Sequence, residues 1–112
     1  MILSKGLNNK QSLYELNISN NDDIHNKGLF QGLNLITLCK LYSLNISNNQ
    51  ILDEGLKKLT DSLKNFSSLH KLSLSNCSFE FPGFEHLLNA LQYIKRIEYL
   101  NVNENNIKSE NL

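Results

Sequence analysis

The chain has 112 residues, 11 of them basic and 11 acidic, so its formal net charge is zero. With no basic run longer than Lys57-Lys58 or Lys95-Arg96, it lacks the concentrated positive surface that a nucleic-acid partner requires, and no apolar run approaches membrane-spanning length. The opening MILSKGLNNKQSL lacks the apolar stretch of a secretion signal, and two cysteines, Cys39 and Cys77, do not suggest a disulfide framework; we expect one cytoplasmic domain holding two buried free thiols.

The elements follow a repeated phrase. LYELNISNN at residues 13–21 returns as LYSLNISNN at 41–49, changed only where Glu15 becomes Ser43, and the same step of 28 leads to LHKLSLSNC at 69 and IEYLNVNEN at 97. The shared template is an apolar triplet at positions one, four and six, then Asn or Cys at position nine. The triplets are Leu13, Leu16, Ile18; Leu41, Leu44, Ile46; Leu69, Leu72, Leu74; and Ile97, Leu100, Val102. A fixed period of this length marks a stacked-repeat architecture.

In chain order, Leu3 and Leu7 stand two periods before Leu59 and Leu63, so residues 1–12 read as the tail of a helix. The first full unit starts at 13, with a strand over Glu15–Ile18. An extra loop residue near Asp22-Asp23 precedes its helix, expected near 28–38, where Leu29, Phe30 and Leu33 share the buried face. The second unit starts at 41, with a strand over Ser43–Ile46 and a helix over 54–65. Leu56, Leu59, Leu63 and Phe66 recur at helical spacing there, and Lys57, Lys58, Asp61 and Lys64 take the other face. The third starts at 69, with a strand over Lys71–Leu74 and a helix over 82–94 carrying Phe84, Leu87, Leu91 and Ile94. Gly55 and Gly83 let the chain turn closely into these helices. The fourth starts at 97 with a strand over Tyr99–Val102 and stops at Leu112, where its helix should begin. Strands this short must pair in parallel, each joined to the next by its helix.

The template resembles the leucine-rich repeat L-x-x-L-x-L-x-x-N/C-x-L. The 28-residue period, with N-x-I-x-x-x-G at Asn49–Gly55 and L-x-x-x-L at Leu59–Leu63, is similar to the ribonuclease-inhibitor-like class. That class includes ribonuclease inhibitor, the Ran GTPase-activating protein and the arrays of NOD-like receptors. The resemblance implies an α/β solenoid, a right-handed βα superhelix with parallel strands on its concave face and helices on its convex face. It also implies that Asn21, Asn49, Cys77 and Asn105 form a structural ladder bonding the turns after each strand, since a buried amide can both donate and accept. Cys77 is small and a weak donor, so it can stand in for Asn.

Function is then expected on the outward strand positions. Their columns are Glu15, Ser43, Lys71, Tyr99; Asn17, Asn45, Ser73, Asn101; and Ser19, Ser47, Ser75, Asn103, with Tyr14, Tyr42 and His70 at the edge. Glu15, Lys71 and Tyr99 are the strongest candidate contacts; simple solvation of these positions is the competing reading. The resulting expectation is a non-catalytic protein–protein interaction module, part of a larger array, binding another protein. The alternatives are a Ran GTPase-activating-protein-like array and a spacer without a partner. No polar cap is visible at either end, so end-to-end self-association is also expected. His25, His70 and His86 fall in no catalytic motif, and no phosphate loop, G-x-S-x-G or H-E-x-x-H occurs; we expect no enzyme activity, cofactor or metal. The N-x-S sequons at Asn17, Asn45, Asn65 and Asn76 read as chance products of an Asn- and Ser-rich chain.

Overall fold

A computed structural model describes residues 15–21, 41–64 and 66–108. Four short strands, β1 (Glu15–Asn17), β2 (Ser43–Asn45), β3 (Lys71–Ser73) and β4 (Tyr99–Asn101), form one sheet in sequence order. All neighbours are parallel, and the register joins Glu15 to Ser43, Ser43 to Lys71 and Lys71 to Tyr99. The 28-residue period is therefore the register itself. Helix α1 (Leu52–Leu63) connects β2 to β3, and α2 (Phe81–Leu91) connects β3 to β4. The expected partial helix over 1–12, the loop at Asp22-Asp23 and the helix near 28–38 lie outside the described residues.

Each strand is one residue shorter than the apolar spacing predicts, but the cross-unit bonding continues beyond it. Ile18 N donates to Asn45 O at 2.9 Å, Ile46 N to Ser73 O at 3.0 Å and Leu74 N to Asn101 O at 2.7 Å. The helices start earlier than predicted, and they also end earlier, because Phe66 and Ile94 reach the core from the tight turns that follow rather than from the helices. In those turns Phe66 N donates to Leu63 O and Ile94 N to Leu91 O.

Inward side chains of strands and helices make one apolar cluster. Leu41, Leu44, Ile46, Leu69, Leu72 and Leu74 are buried, as are Leu56, Leu59, Leu63, Phe66 and Phe79. Burial weakens in the outer units. Leu16, Ile97, Leu100, Val102 and Ile107 are only partly buried. The helices show the same gradient: Thr60 of α1 is 3% exposed, whereas Leu88, its counterpart one period later on α2, is 46% exposed. A unit needs a neighbour on each side to bury both flanks of its helix.

At Gly83 the close approach expected of this glycine is to the preceding unit. A Cβ there would lie 2.6 Å from Asp53 Oδ1. That carboxylate accepts hydrogen bonds from Glu80 N at 2.7 Å and Gly83 N at 3.1 Å. Helix α2 has no side-chain cap of its own, so the preceding unit supplies one to its otherwise orphaned first-turn N–H groups.

Candidate interaction face

The first predicted column crosses the open face of the sheet in register order. Glu15, Lys71 and Tyr99 are exposed and Ser43 is half-buried. The second column, Asn17, Asn45, Ser73 and Asn101, lies beside it, but its asparagines are engaged locally. Asn17 Oδ1 accepts from Ser19 N at 3.0 Å, Asn45 Oδ1 from Ser47 N at 3.0 Å and Asn101 Oδ1 from Asn103 N at 2.9 Å. Each is an Asx turn that bends the chain out of its strand. The third column is partly internal, against expectation: Ser47 is buried, and its Oγ accepts from Ser75 N at 3.0 Å. A hydroxyl is small enough to serve the backbone of the next unit.

The two asparagines of each S-N-N phrase do different work. Asn20, Asn48 and Asn76 sit at φ values of 60, 61 and 52, the left-handed region that Asn tolerates better than most residues. Glu104 occupies the same place at φ 61. The second asparagine bonds backbone groups across units, whereas the first makes one exposed side-chain bond across them, from Asn76 Nδ2 to Asn48 Oδ1 at 3.0 Å. Asn49 Nδ2 donates to Ile18 O at 3.0 Å and Ile46 O at 2.8 Å, while its Oδ1 accepts from Asn21 N at 3.0 Å. Asn105 repeats this one interface later, donating to Leu74 O at 2.8 Å and Val102 O at 3.0 Å and accepting from Cys77 N at 2.8 Å. Asn21 Nδ2 donates to Ile18 O at 2.7 Å. At the middle position the Cys77 sulfur lies 3.4 Å from Ile46 O and 3.6 Å from Ser75 O. Burial pushes its pKa from 9.0 up to about 11, against the opposing pull of the Asn49 and Asn48 backbone N–H groups. The group is therefore a neutral thiol at physiological pH, with one hydrogen for either carbonyl.

The rim where the strands begin holds a feature the sequence reading missed. Tyr42 and His70, one period apart, stack with ring centroids 4.3 Å apart and planes 19° from parallel. His70 Nδ1 lies 2.6 Å from Ser68 O; a carbonyl can only accept, so this nitrogen carries the proton and donates. The Lys71 ammonium lies 6.0 Å from the Tyr42 ring centre. Three ring residues at one repeat position, Tyr14, Tyr42 and His70, were the signal for this stack. His86 is exposed on α2, far along the chain from the rim, and His25 lies outside the described residues. Among the described residues no three His, Cys, Asp or Glu side chains gather into a metal-binding group, and no helix is long and apolar enough to cross a membrane.

Comparison with known proteins agrees with this geometry. A family model described as Leucine Rich repeat matches residues 9–30 and 37–59. The structure of the leiomodin-1 actin-binding site 2 superposes with a TM-score of 0.80 at 19% sequence identity, covering 96% of this chain and 61% of that one. The chain thus spans about three fifths of that domain's length, and at this identity the likeness is one of fold. No curated protein matches the sequence. With a phrase repeated every 28 residues, one parallel sheet in that same register and these two matches, the chain has the leucine-rich repeat fold, and its residues 9–30 and 37–59 match that family's repeat.

Proposed function

We propose that the chain is a non-catalytic protein-interaction module, cytoplasmic and of the ribonuclease-inhibitor-like class, whose open sheet face takes a segment of a protein partner. The observation that carries this reading is the division of labour on that face. The Asn side chains of the second column are engaged in turns, whereas Glu15, Lys71 and Tyr99 stand exposed in one line. Full α-helices on the return path support the class assignment. The open flank of α2, with Leu88 46% exposed, suits a further repeat of the same kind, which supports membership of a longer array. In the chain alone, that flank and the β4 edge would invite end-to-end pairing of copies.

Actin is a first candidate partner, because a domain of like fold is named as an actin-binding site; co-sedimentation with actin filaments tests it. The broader reading is tested by selecting binders from a displayed random 12-residue peptide library, then measuring their affinity for Tyr99→Ala. An exposed tyrosine acting as an anchor should cost at least about fivefold, the roughly 1 kcal/mol that marks a significant contact. Unchanged affinity with Tyr99→Ala, Lys71→Ala and Glu15→Ala would remove the face from the account. A spacer predicts no binders at all, and a GTPase-activator array predicts faster GTP hydrolysis by a bound small GTPase.

A further inference from the structure

The register fixes the order of charges across the open face. Glu15 is paired with Ser43, Ser43 with Lys71, and Lys71 with Tyr99. Neighbouring strands lie about 4.8 Å apart, so the Glu15 and Lys71 backbones stand roughly 10 Å apart with one small serine between them. The ion pairs among the described residues are Lys58–Glu54 and Lys64–Asp61, both on the helical side. Neither Glu15 nor Lys71 takes part in them. The adjoining column of Asn17, Asn45, Ser73 and Asn101 is uncharged. The rim beside Lys71 is the Tyr42–His70 stack, followed by the exposed carboxylate of Glu98 next to Tyr99. The line therefore reads negative, small, positive, aromatic, with a second negative group at its far rim.

We propose that this face selects a protein segment lying across the strands, with a basic side chain over Glu15, an acidic side chain over Lys71 and an apolar side chain against Tyr99. The proposal rests on the interaction-module reading above. A segment in the polyproline II conformation spans the gap with charges three residues apart, on one side of the chain, at about 3.1 Å per residue; a helix does so with charges seven apart, at about 1.5 Å per residue. The gap exceeds the screening length of about 8 Å at physiological salt, so each charge selects its own partner rather than cancelling the other. Glu98 repels an acidic side chain placed over Tyr99, which disfavours a segment shifted by one strand. Charge order thus sets direction and register more than overall affinity.

The test uses the whole chain and the displayed 12-residue library as the probe. Selected peptides should be enriched in basic–acidic pairs spaced by three or seven residues. A synthesised binder should lose about two- to fivefold for each charged side chain neutralised, the range for exposed ion pairs. The double variant Glu15→Lys with Lys71→Glu should bind that peptide worse and recover when the peptide's own charges are exchanged. The milder pair Glu15→Gln with Lys71→Gln, checked for folding by circular dichroism, should erase the discrimination. Binders weakened by Tyr99→Ala but carrying no charge pair, or no recovery in the exchange, overturn this inference and leave the interaction reading intact. Failure to select any binder, or binders indifferent to every substitution on the face, overturns both.

Discussion

Replacing Asn49 by leucine isolates the polar bonding between units, because the side chains are similar in size and the site is already enclosed. Asn49 is 2% exposed. Its amide donates to Ile18 O and Ile46 O, and its oxygen accepts from Asn21 N. Leucine has the same branched skeleton and removes these three bonds together with a longer one to Ser47 O at 3.3 Å, which Asn20 N still serves. Ile18 O retains the donation from Asn21 Nδ2, while Ile46 O keeps only the weak thiol of Cys77 and Asn21 N loses its acceptor. Two groups left wanting, at about 1–3 kcal/mol each with the more exposed at the low end, give a loss of roughly 2–4 kcal/mol. That is a large fraction of a small domain's stability. The control is Asn48→Gly rather than Asn48→Leu, since a leucine at φ 61 adds strain of about 1–2 kcal/mol of its own, whereas glycine gives up only the exposed bond from Asn76 Nδ2 at 3.0 Å. Urea unfolding followed by circular dichroism should show a clearly lower midpoint for Asn49→Leu and a midpoint near wild type for Asn48→Gly. Equal midpoints would refute the claim that inter-unit amide bonds hold the turns.

Other substitutions probe separate parts of the structure. Glu104 sits at φ 61 where the other units place asparagine, so Glu104→Asn should raise the melting temperature, with a gain of up to about 1 kcal/mol. Asp53→Ala should cost about 1 kcal/mol through loss of the α2 cap. Gly83→Ala, whose Cβ meets the same carboxylate at 2.6 Å, should cost less in the Asp53→Ala background, and strict additivity in a double-mutant cycle would contradict the contact. The raised Cys77 pKa gives a pH signature. The unfolded chain releases the thiol proton near 9.0 while the folded chain holds it to about 11, so stability is full below 9.0 and falls between the two values. Cys77→Ser should remove that part of the slope, as read from unfolding midpoints across this range. In light scattering over a dilution series, the chain should associate at high concentration, and Leu88→Lys should reduce it.

Periodicity exposed the parts of this fold that burial constrains. Leu44, Ile46, Leu72 and Leu74 must be apolar in every unit, so they keep phase and set both strand position and register. The same in-phase comparison paired Asn21, Asn49, Cys77 and Asn105. It could not show the Asp53 cap, because that carboxylate reaches Glu80 and Gly83, 27 and 30 residues away, off the common step. Nor could it separate outward residues that face solvent from those that bend the chain. Asn45 and Ser47 alternate correctly for the open face, but a carboxamide can accept from the backbone two residues on, and a serine hydroxyl can serve the next strand. The helix ends were misplaced for a related reason: Phe66 and Ile94 keep the apolar spacing of a helix from within a turn. On the open face, Glu15, Lys71 and Tyr99 stand out in the sequence because they are the large or charged residues among outward columns that are otherwise small and neutral, and the structure adds their exposure.

The open face as binding surface is tested most directly by amide chemical-shift mapping of the 112-residue chain against a peptide selected from the library. The account predicts the largest shifts at residues 15, 43, 71 and 99, with smaller ones along the Tyr42–His70 rim. Shifts confined to the outer surfaces of α1 and α2, with those four amides unmoved, would contradict it.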